Sequence, residues 1–433
     1  MQKIYTPPKE EWSNILKRPV QTFEHIEKTV NYIFKDIELN GDEAVKKYAD
    51  KYDKVALDDL MVSAKEIDNA MTEVSDELKA AIQLAKANIE KFHSAQKSEP
   101  QKIQMTPGLI CWQEKKPIQK VGLYIPGGTA PLFSTILMLA VPAKIAGCEE
   151  IILCTPSDRS GTIHPAILYA ANLCGVTKIF KVGGIQAVGA MTFGTEMIPK
   201  VYKIFGPGNQ YVMVAKQIAT KYGVAIDLPA GPSELLVVAD DTANPAFVAS
   251  DLLSQAEHGE DSQVILIANT KSIMTKVAAE IELQLANLPR RVIAKKAMAN
   301  SKLIYCPDDQ TALELINAYA PEHFIICTEN EDFYAANIQN AGSVFIGNYT
   351  PESAGDYVSG TNHTLPTNGF SKSYSGVNLD AFLKAITFQS ISKEALKKIG
   401  PAIEHMALAE GLEGHKNAVT IRLKEINNVI NKA

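Results

Sequence analysis

Apolar residues in the first part of the chain recur at three- and four-residue steps. Phe23, Ile26, Val30, Ile33 and Ile37 fall on one face of a helical period, and Asn40-Gly41 is a stop signal for that helix. A second helix is expected over about Asp76 to Ser94. From Lys120 the pattern changes to short apolar runs alternating with helical ones. "VGLYIP" reads as a strand, followed by a helix from about Leu132, "EEIILCTP", a helix through "HPAILYAANLCG", "KIFKVGG", a helix, and "VYKIFGPG". A helix around Tyr211 to Tyr222 then leads to "ELLVVAD", a helix ending at His258, and "QVILIAN". The runs "LELINAYAPEHFIICT" and "AGSVFIGNYT" continue the alternation, and from about Leu379 the chain reads as helical and amphipathic. Strand and helix alternating at this spacing predict an α/β protein whose parallel sheets are covered by helices.

Composition narrows the picture. A chain of 433 residues with 46% hydrophobic content supports two or three domains, each with a core. The net charge of −6, with no long run of Lys or Arg, argues against a nucleic-acid partner. The start, "MQKIYTPPKEEWSN", reads as neither signal nor transit peptide. The most apolar stretch, "STILMLAVPAKIAG", is cut by Pro142 and Lys144 before it could span a bilayer, so no membrane partner is expected. Six cysteines without a CxxC pair fit a reducing cytoplasm.

Three consecutive strands end in glycine, in "YIPGGTA", "KVGGIQA" and "FGPGNQY". In open parallel sheets ligands bind beyond the carboxyl ends of strands, and three such loops in a row favour a binding cleft over simple turns. No GxGxxG is present, so a nucleotide here would be held through Tyr124, Gln186 and Asn209.

In "SQAEHGEDS", Gln255 and His258 are three apart, on one face of a helix that Gly259 closes. Two donors alone do not distinguish a metal site from a polar helix end. "APEHFI" sets Glu322 beside His323 between a helix end and a strand, which suits a loop and two separate tasks, or a solvated turn. "SAGDYVSGTNHTLPTNG" reads as a long loop carrying Asp356 and His363, and "AEGLEGHKNAV" as a helix-leading segment carrying Glu410 and His415. Gln255, His258, Asp356 and His415 together form a nitrogen and oxygen donor set without thiolate, suited to zinc or another divalent ion. Ser233 precedes a strand, unlike the nucleophile of a serine hydrolase, and Cys154 in "IILCTP" reads as core.

The chain resembles the histidinol dehydrogenase family almost end to end. "VGLYIPGGTAPLFSTILMLA", "KIFGPGN", "LPAGPSE", "DLLSQAEHG", "APEHFI", "PESAGDYVSGTNH" and "GHKNAV" occur in the family's order and approximate spacing. The resemblance implies oxidation of L-histidinol to L-histidinal and then to L-histidine, with two NAD and one water. It implies one zinc per subunit on Gln255, His258, Asp356 and His415, gripping the substrate's imidazole and amino nitrogens. Glu322 and His323 would be the acid–base residues, and Tyr124, Gln186 and Asn209 would line the NAD site. Ser233, Gln255, His258, His323, Asp356, His363, Glu410 and His415 would meet the substrate. The implied fold is two incomplete Rossmann-like domains with parallel-rich sheets, one inserted in the other, plus helical N- and C-terminal dimerisation segments. Its expected boundaries are 1–18 for the N-terminal segment, 19–127 with 235–373 for the first domain, 128–234 for the inserted NAD-side domain, and 374–433 for the C-terminal segment. His415 and Glu410 would then reach the partner's active site in a homodimer. A metal-dependent hydrolase using Glu322 and His323, or a non-catalytic nucleotide-binding regulator, would use the same residues differently.

Overall fold

The structure, a computed structural model, describes residues 1–19, 24–127, 130–229 and 231–430. Phe23 of the first expected helix, Gly128 and Thr129 of "YIPGGTA", and Ala230 of "LPAGPSE" lie outside the described residues. The chain divides into two compact units, Met1–Gln96 with Ile118–Phe382, and Lys97–Pro117 with Leu383–Ala433.

The first unit is α/β and holds two wholly parallel sheets. A five-stranded sheet runs Lys178–Lys181, Glu150–Thr155, Lys120–Tyr124, Lys203–Phe205, Ala225–Ile226. Counted in chain order, its strands lie 3-2-1-4-5. A six-stranded sheet runs Gln2–Tyr5, Lys302–Tyr305, Gln263–Ala268, Glu234–Ala239, His323–Cys327, Ser343–Ile346. With the N-terminal edge strand set aside, it repeats the order 3-2-1-4-5. Each sheet therefore reverses direction beside its first strand, the arrangement of a Rossmann-like half. "ELLVVA" and "QVILIA" are buried at every position, as strands covered on both faces must be.

The crossover helices Phe133–Ala146, Pro165–Leu173, Gly184–Phe193 and Gln210–Ala219 cover the five-stranded sheet. The N-terminal helices Glu24–Tyr48, Ala64–Glu73 and Asp76–Ser94 pack on them. Gly41, at φ 50°, breaks the first of these as its sequence predicts, but the helix resumes at once. The five-stranded sheet begins at Lys120, ahead of residue 128 where the inserted domain is expected to start. Residues 1–18 contribute an edge strand and bury Trp12 and Leu16 against Leu236 and Ile265 of their own chain.

The second unit is an antiparallel sheet, Leu383–Ile391, Leu109–Pro117, Ile103–Thr106, joined by the helices Lys393–Ala409 and Glu413–Ile430. The expectation of helix from about Leu379 is corrected here. A short 3-10 turn, Leu379–Phe382, leads into the strand Leu383–Ile391, and helix starts only at Lys393. No helix among the described residues is long and apolar enough to cross a membrane.

Candidate active site

The helix Pro245–Ala256 begins on an Asn244 cap, whose side chain accepts from the Ala246 N–H, with Pro245 at its first position. As the crossover after Glu234–Ala239, it returns the chain to the amino ends of the strands and delivers Gln255 and His258 there. His258 lies just past the helix end, exposed, with its N–H donating to the Gln255 carbonyl at 3.3 Å. Gln255 is buried, and its Oε1 has no partner. The carboxyl end of the helix dipole favours a cation in this region.

Asp356 is not in a loop, as its glycine-rich surroundings suggest. Pro351 opens a short helix, Glu352–Tyr357, that sets Glu352 and Asp356 four residues apart on one face. One ligand atom each from His258, Glu352 and Asp356 falls within 4.8 Å of the others. Glu352 is buried. Its Oε2 accepts from Ser254 Oγ at 2.9 Å, and its Oε1 has no partner. Burial and the Asp356 charge push the Glu352 carboxyl up to about 8.

His323 opens its strand rather than lying in a loop, and Glu322 precedes it; both are buried. The turn that presents them passes through Ala320, a left-handed residue at φ 55° capping the helix Asp309–Tyr319. Glu234 holds both members of the pair by its main chain. Its N–H donates to Glu322 Oε2 at 2.8 Å, and its carbonyl accepts from His323 Nδ1 at 3.1 Å. A carbonyl can only accept, so Nδ1 carries a proton and Nε2 is the functional nitrogen. Nε2 has no hydrogen-bond partner and lies 3.7 Å from Asp356 Oδ1. Burial opposes a charge on His323, but Glu322 and Asp356 outweigh it and raise its pKa well above the ordinary imidazole value. Burial also disfavours the Asp356 charge, yet His323 and His363 hold that carboxyl well below its usual range.

His363 connects this cluster to the five-stranded half. Its Nδ1 donates to the Asp356 carbonyl at 2.8 Å, and its Nε2 accepts from Thr135 Oγ1 at 3.0 Å, on the helix Phe133–Ala146. Ser233 lies immediately before Glu234. Glu410 and His415 belong to the second unit, where both are exposed, at the end of one helix and the start of the next.

Buried, unpaired Gln255 Oε1 and Glu352 Oε1, with His258 and Asp356, fit a divalent cation by donor chemistry. Such an ion would offset the carboxylate field that holds the proton on His323. Sequence reasoning missed Glu352, although it lies in the quoted "PESAGDYVSGTNH". Its signal was the four-residue spacing to Asp356, hidden once the stretch was read as loop.

A cavity of about 1060 Å³ opens at the carboxyl ends of the five-stranded sheet, lined by Tyr124, Gln186 and Asn209 together with Asp53, Thr155 and Pro156. The two central strands around the reversal point, Lys120–Tyr124 and Lys203–Phe205, both end here. Tyr124 Oη accepts from the Gly184 N–H at 3.1 Å, Gln186 Nε2 donates to Asp53 at 3.0 Å, and Asn209 caps the helix Gln210–Ala219. Burial pushes the Tyr124 phenol up to about 12.

Gly206 is required by contact as well as by conformation. At φ 127°, a Cβ there would stand 2.0 Å from the Tyr124 carbonyl. Its N–H donates to Asp227 Oδ2 at 2.8 Å and its carbonyl accepts from Lys216 Nζ at 2.8 Å, while Lys216 and Asp227 form a buried ion pair at 2.5 Å. Replacing Lys216 with Met removes the ion-pair partner of a buried carboxylate. The expected loss is about 3–5 kcal/mol of unfolding free energy, read from the urea midpoint. A loss below about 1 kcal/mol would mean the pair is not a brace.

Comparison with known proteins decides the family. The histidinol dehydrogenase family profile matches residues 16–423. The chain belongs to the histidinol dehydrogenase family. It is 59% identical to the histidinol dehydrogenase of Bacteroides thetaiotaomicron over 426 residues, covering 98% of this chain and 100% of the relative. It is 51% identical to that of Escherichia coli strain K12, covering 96% of each. The crystal structure of histidinol dehydrogenase from Elizabethkingia anophelis superposes with a TM-score of 0.96 at 56% identity, covering 99% of each chain. The family is one of oxidoreductases of histidine biosynthesis, and the two parallel sheets match the family fold.

Proposed function

We propose that this family member oxidises L-histidinol to L-histidinal and then to L-histidine, using two NAD and one water, as a cytoplasmic homodimer holding one zinc per subunit. The observation that carries the reading is His323, buried with Nδ1 committed to the Glu234 carbonyl and Nε2 unpartnered beside Asp356. Removing hydride from an alcohol requires a base for its hydroxyl proton. Nε2 would be that base once a bound cation offsets the carboxylate field that otherwise holds a proton on it. Oxidising the aldehyde requires water to add to it. Glu322, with Oε2 fixed by the Glu234 N–H, takes the water's proton on its carboxylate. The Asp356 carboxylate, held in its charged form, complements a substrate that carries an amino group. Ser233 and His363 would also contact the substrate, with Glu410 supplied by the partner.

Zinc, held by Gln255, His258 and Asp356 of one chain and His415 of its partner, would supply a fixed Lewis-acid template for the substrate's nitrogens. NAD, held at Tyr124, Gln186 and Asn209, would accept the hydride. The division into an NAD-side domain over 128–234, a first domain from 19–127 with 235–373, and terminal segments 1–18 and 374–433 that join the dimer belongs to the same proposal. Six unpaired cysteines support a reducing compartment. Cys154 is fully buried and its thiol is pushed up by that burial, so no covalent aldehyde adduct is assigned to it.

NADH absorbance with each substrate supplied separately tests the reading. The wild-type protein should form NADH from both histidinol and histidinal, and a metal-dependent hydrolase or a regulator would form none. Glu322→Gln should slow histidinal oxidation more than histidinol oxidation. Equal losses in the two steps would remove Glu322 from the water.

A further inference from the structure

Glu322 and His323 are both anchored to the main chain of Glu234, yet Glu234 is not itself chemically engaged in either oxidation step. Its side chain is buried and paired with a cation, Arg18. Arg18 Nη2 donates to Glu234 Oε2 at 2.8 Å, its Nε donates to Oε1, and the Asn368 N–H donates to Oε1 at 2.8 Å. The same guanidinium donates to the Tyr319 carbonyl at 2.8 Å and stacks on the Tyr319 ring at 4.0 Å. Tyr319 ends the helix before the left-handed Ala320, and Ala320 leads through Pro321 to Glu322. Arg18 thus touches both elements whose relative placement sets the pair: the strand start at Glu234 and the turn at Tyr319–Ala320. A planar fork can make these bonds at once, which a lysine cannot.

We propose that Arg18 is a positioning residue that fixes the geometry of Glu322 and His323 by clamping Glu234 to the turn that presents them. The proposal rests on the reading of those two residues as the acid–base pair. Without the guanidinium, Glu234 would be a buried carboxylate with no counter-charge, and its strand start would shift or take up a proton. Displacing a base by about 1 Å costs on the order of 100-fold in rate.

The test uses the metal-loaded full chain and three variants: Arg18→Met, Arg18→Lys, and the double variant Arg18→Met with Glu234→Met. Arg18→Met should lower kcat about 100-fold with KM for histidinol and zinc content near wild type. Arg18→Lys, which keeps the charge without the fork, should fall between. The double variant removes both buried charges, so its melting temperature should recover relative to Arg18→Met while kcat stays low. Recovery of kcat in step with melting temperature would overturn the proposal, because Arg18 would then be only structural. If Arg18→Met does not fold, Arg18→Lys and the double variant decide by the same comparison. Histidine-selective nitrogen NMR adds a readout independent of turnover, since loss of the Nδ1–H bond to Glu234 shifts the His323 signals. Unchanged His323 signals in the variants would overturn the proposal even if activity fell. A wild-type protein that makes no NADH would refute the assigned function, while the NMR comparison would still judge the clamp.

Discussion

Replacing His323 with Asn lowers turnover by roughly 100- to 10,000-fold, the usual worth of a positioned general base. Asn retains a side-chain donor for the Glu234 carbonyl, so the strand start keeps its hydrogen bond. What disappears is the ring nitrogen at the Nε2 position, which no other group replaces as a proton acceptor at neutral pH. Zinc content and KM should stay near wild type, because the ligands assigned to the ion are Gln255, His258, Asp356 and the partner's His415. Steady-state kinetics with metal analysis checks both parts. Loss of zinc from the variant would show that a ligand had been mistaken for a base.

The second large effect concerns where His415 acts. His258→Ala and His415→Ala homodimers should each be nearly inactive, since every site lacks one proposed ligand. When the two are unfolded and refolded together, random pairing makes half of the dimers hybrid. If His415 serves the opposite chain, one site of each hybrid collects both lesions and the other collects neither. Activity should then recover to about a quarter of wild type, with zinc bound in the same proportion. If His415 serves its own chain, every site in the mixture keeps a lesion and mixing restores nothing. His415 lies exposed in the second unit, Lys97–Pro117 with Leu383–Ala433, so the result assigns a role that one chain alone leaves open.

Sequence reasoning found most of the parallel strands, because each of those is a short apolar run bounded by glycine, proline or an acidic turn. Gln2–Tyr5, Ala225–Ile226 and Lys302–Tyr305, which are short or mixed with polar residues, were missed. "ELLVVAD" and "QVILIAN" each became a strand buried throughout. It missed Leu383–Ile391 for the opposite reason. Most of that strand's residues stay exposed, so neither a two-residue nor a helical period marks them, and pairing with Leu109–Pro117 fixes it instead. Gly355 and Gly360 made Asp356 look like a loop residue, yet Gly355 packs inside the short helix against the Phe345 ring. Glu352 escaped notice because its partner, Ser254, lies on another helix, 98 residues away in the chain. Arg18 was invisible for the same reason, with Glu234 distant in sequence and a single arginine carrying no motif. The motifs identified the family, whereas the contacts that brace its residues depend on the folded chain.

The two sheets share one strand order but use opposite ends of it. The five-stranded sheet opens its cavity at the carboxyl ends of its strands, whereas Glu234, Glu322 and His323 cluster at the amino ends of the six-stranded one. Such a pair is what duplication of one ancestral half followed by division of labour would leave. In a copy that binds a nucleotide, as proposed for the five-stranded sheet, the carboxyl-end loops are the constrained ones. In the other copy the corresponding turns, Asp240 to Asn244 and Thr328 to Asn330, are held by Asp240, which accepts from the Thr242 and Glu329 N–H groups, by Asn348, which bonds Asn244 and Thr242, and by Asp309, which accepts from Asn330. None of the proposed chemistry rests on these turns, so substitutions that keep their hydrogen bonds should leave turnover unchanged.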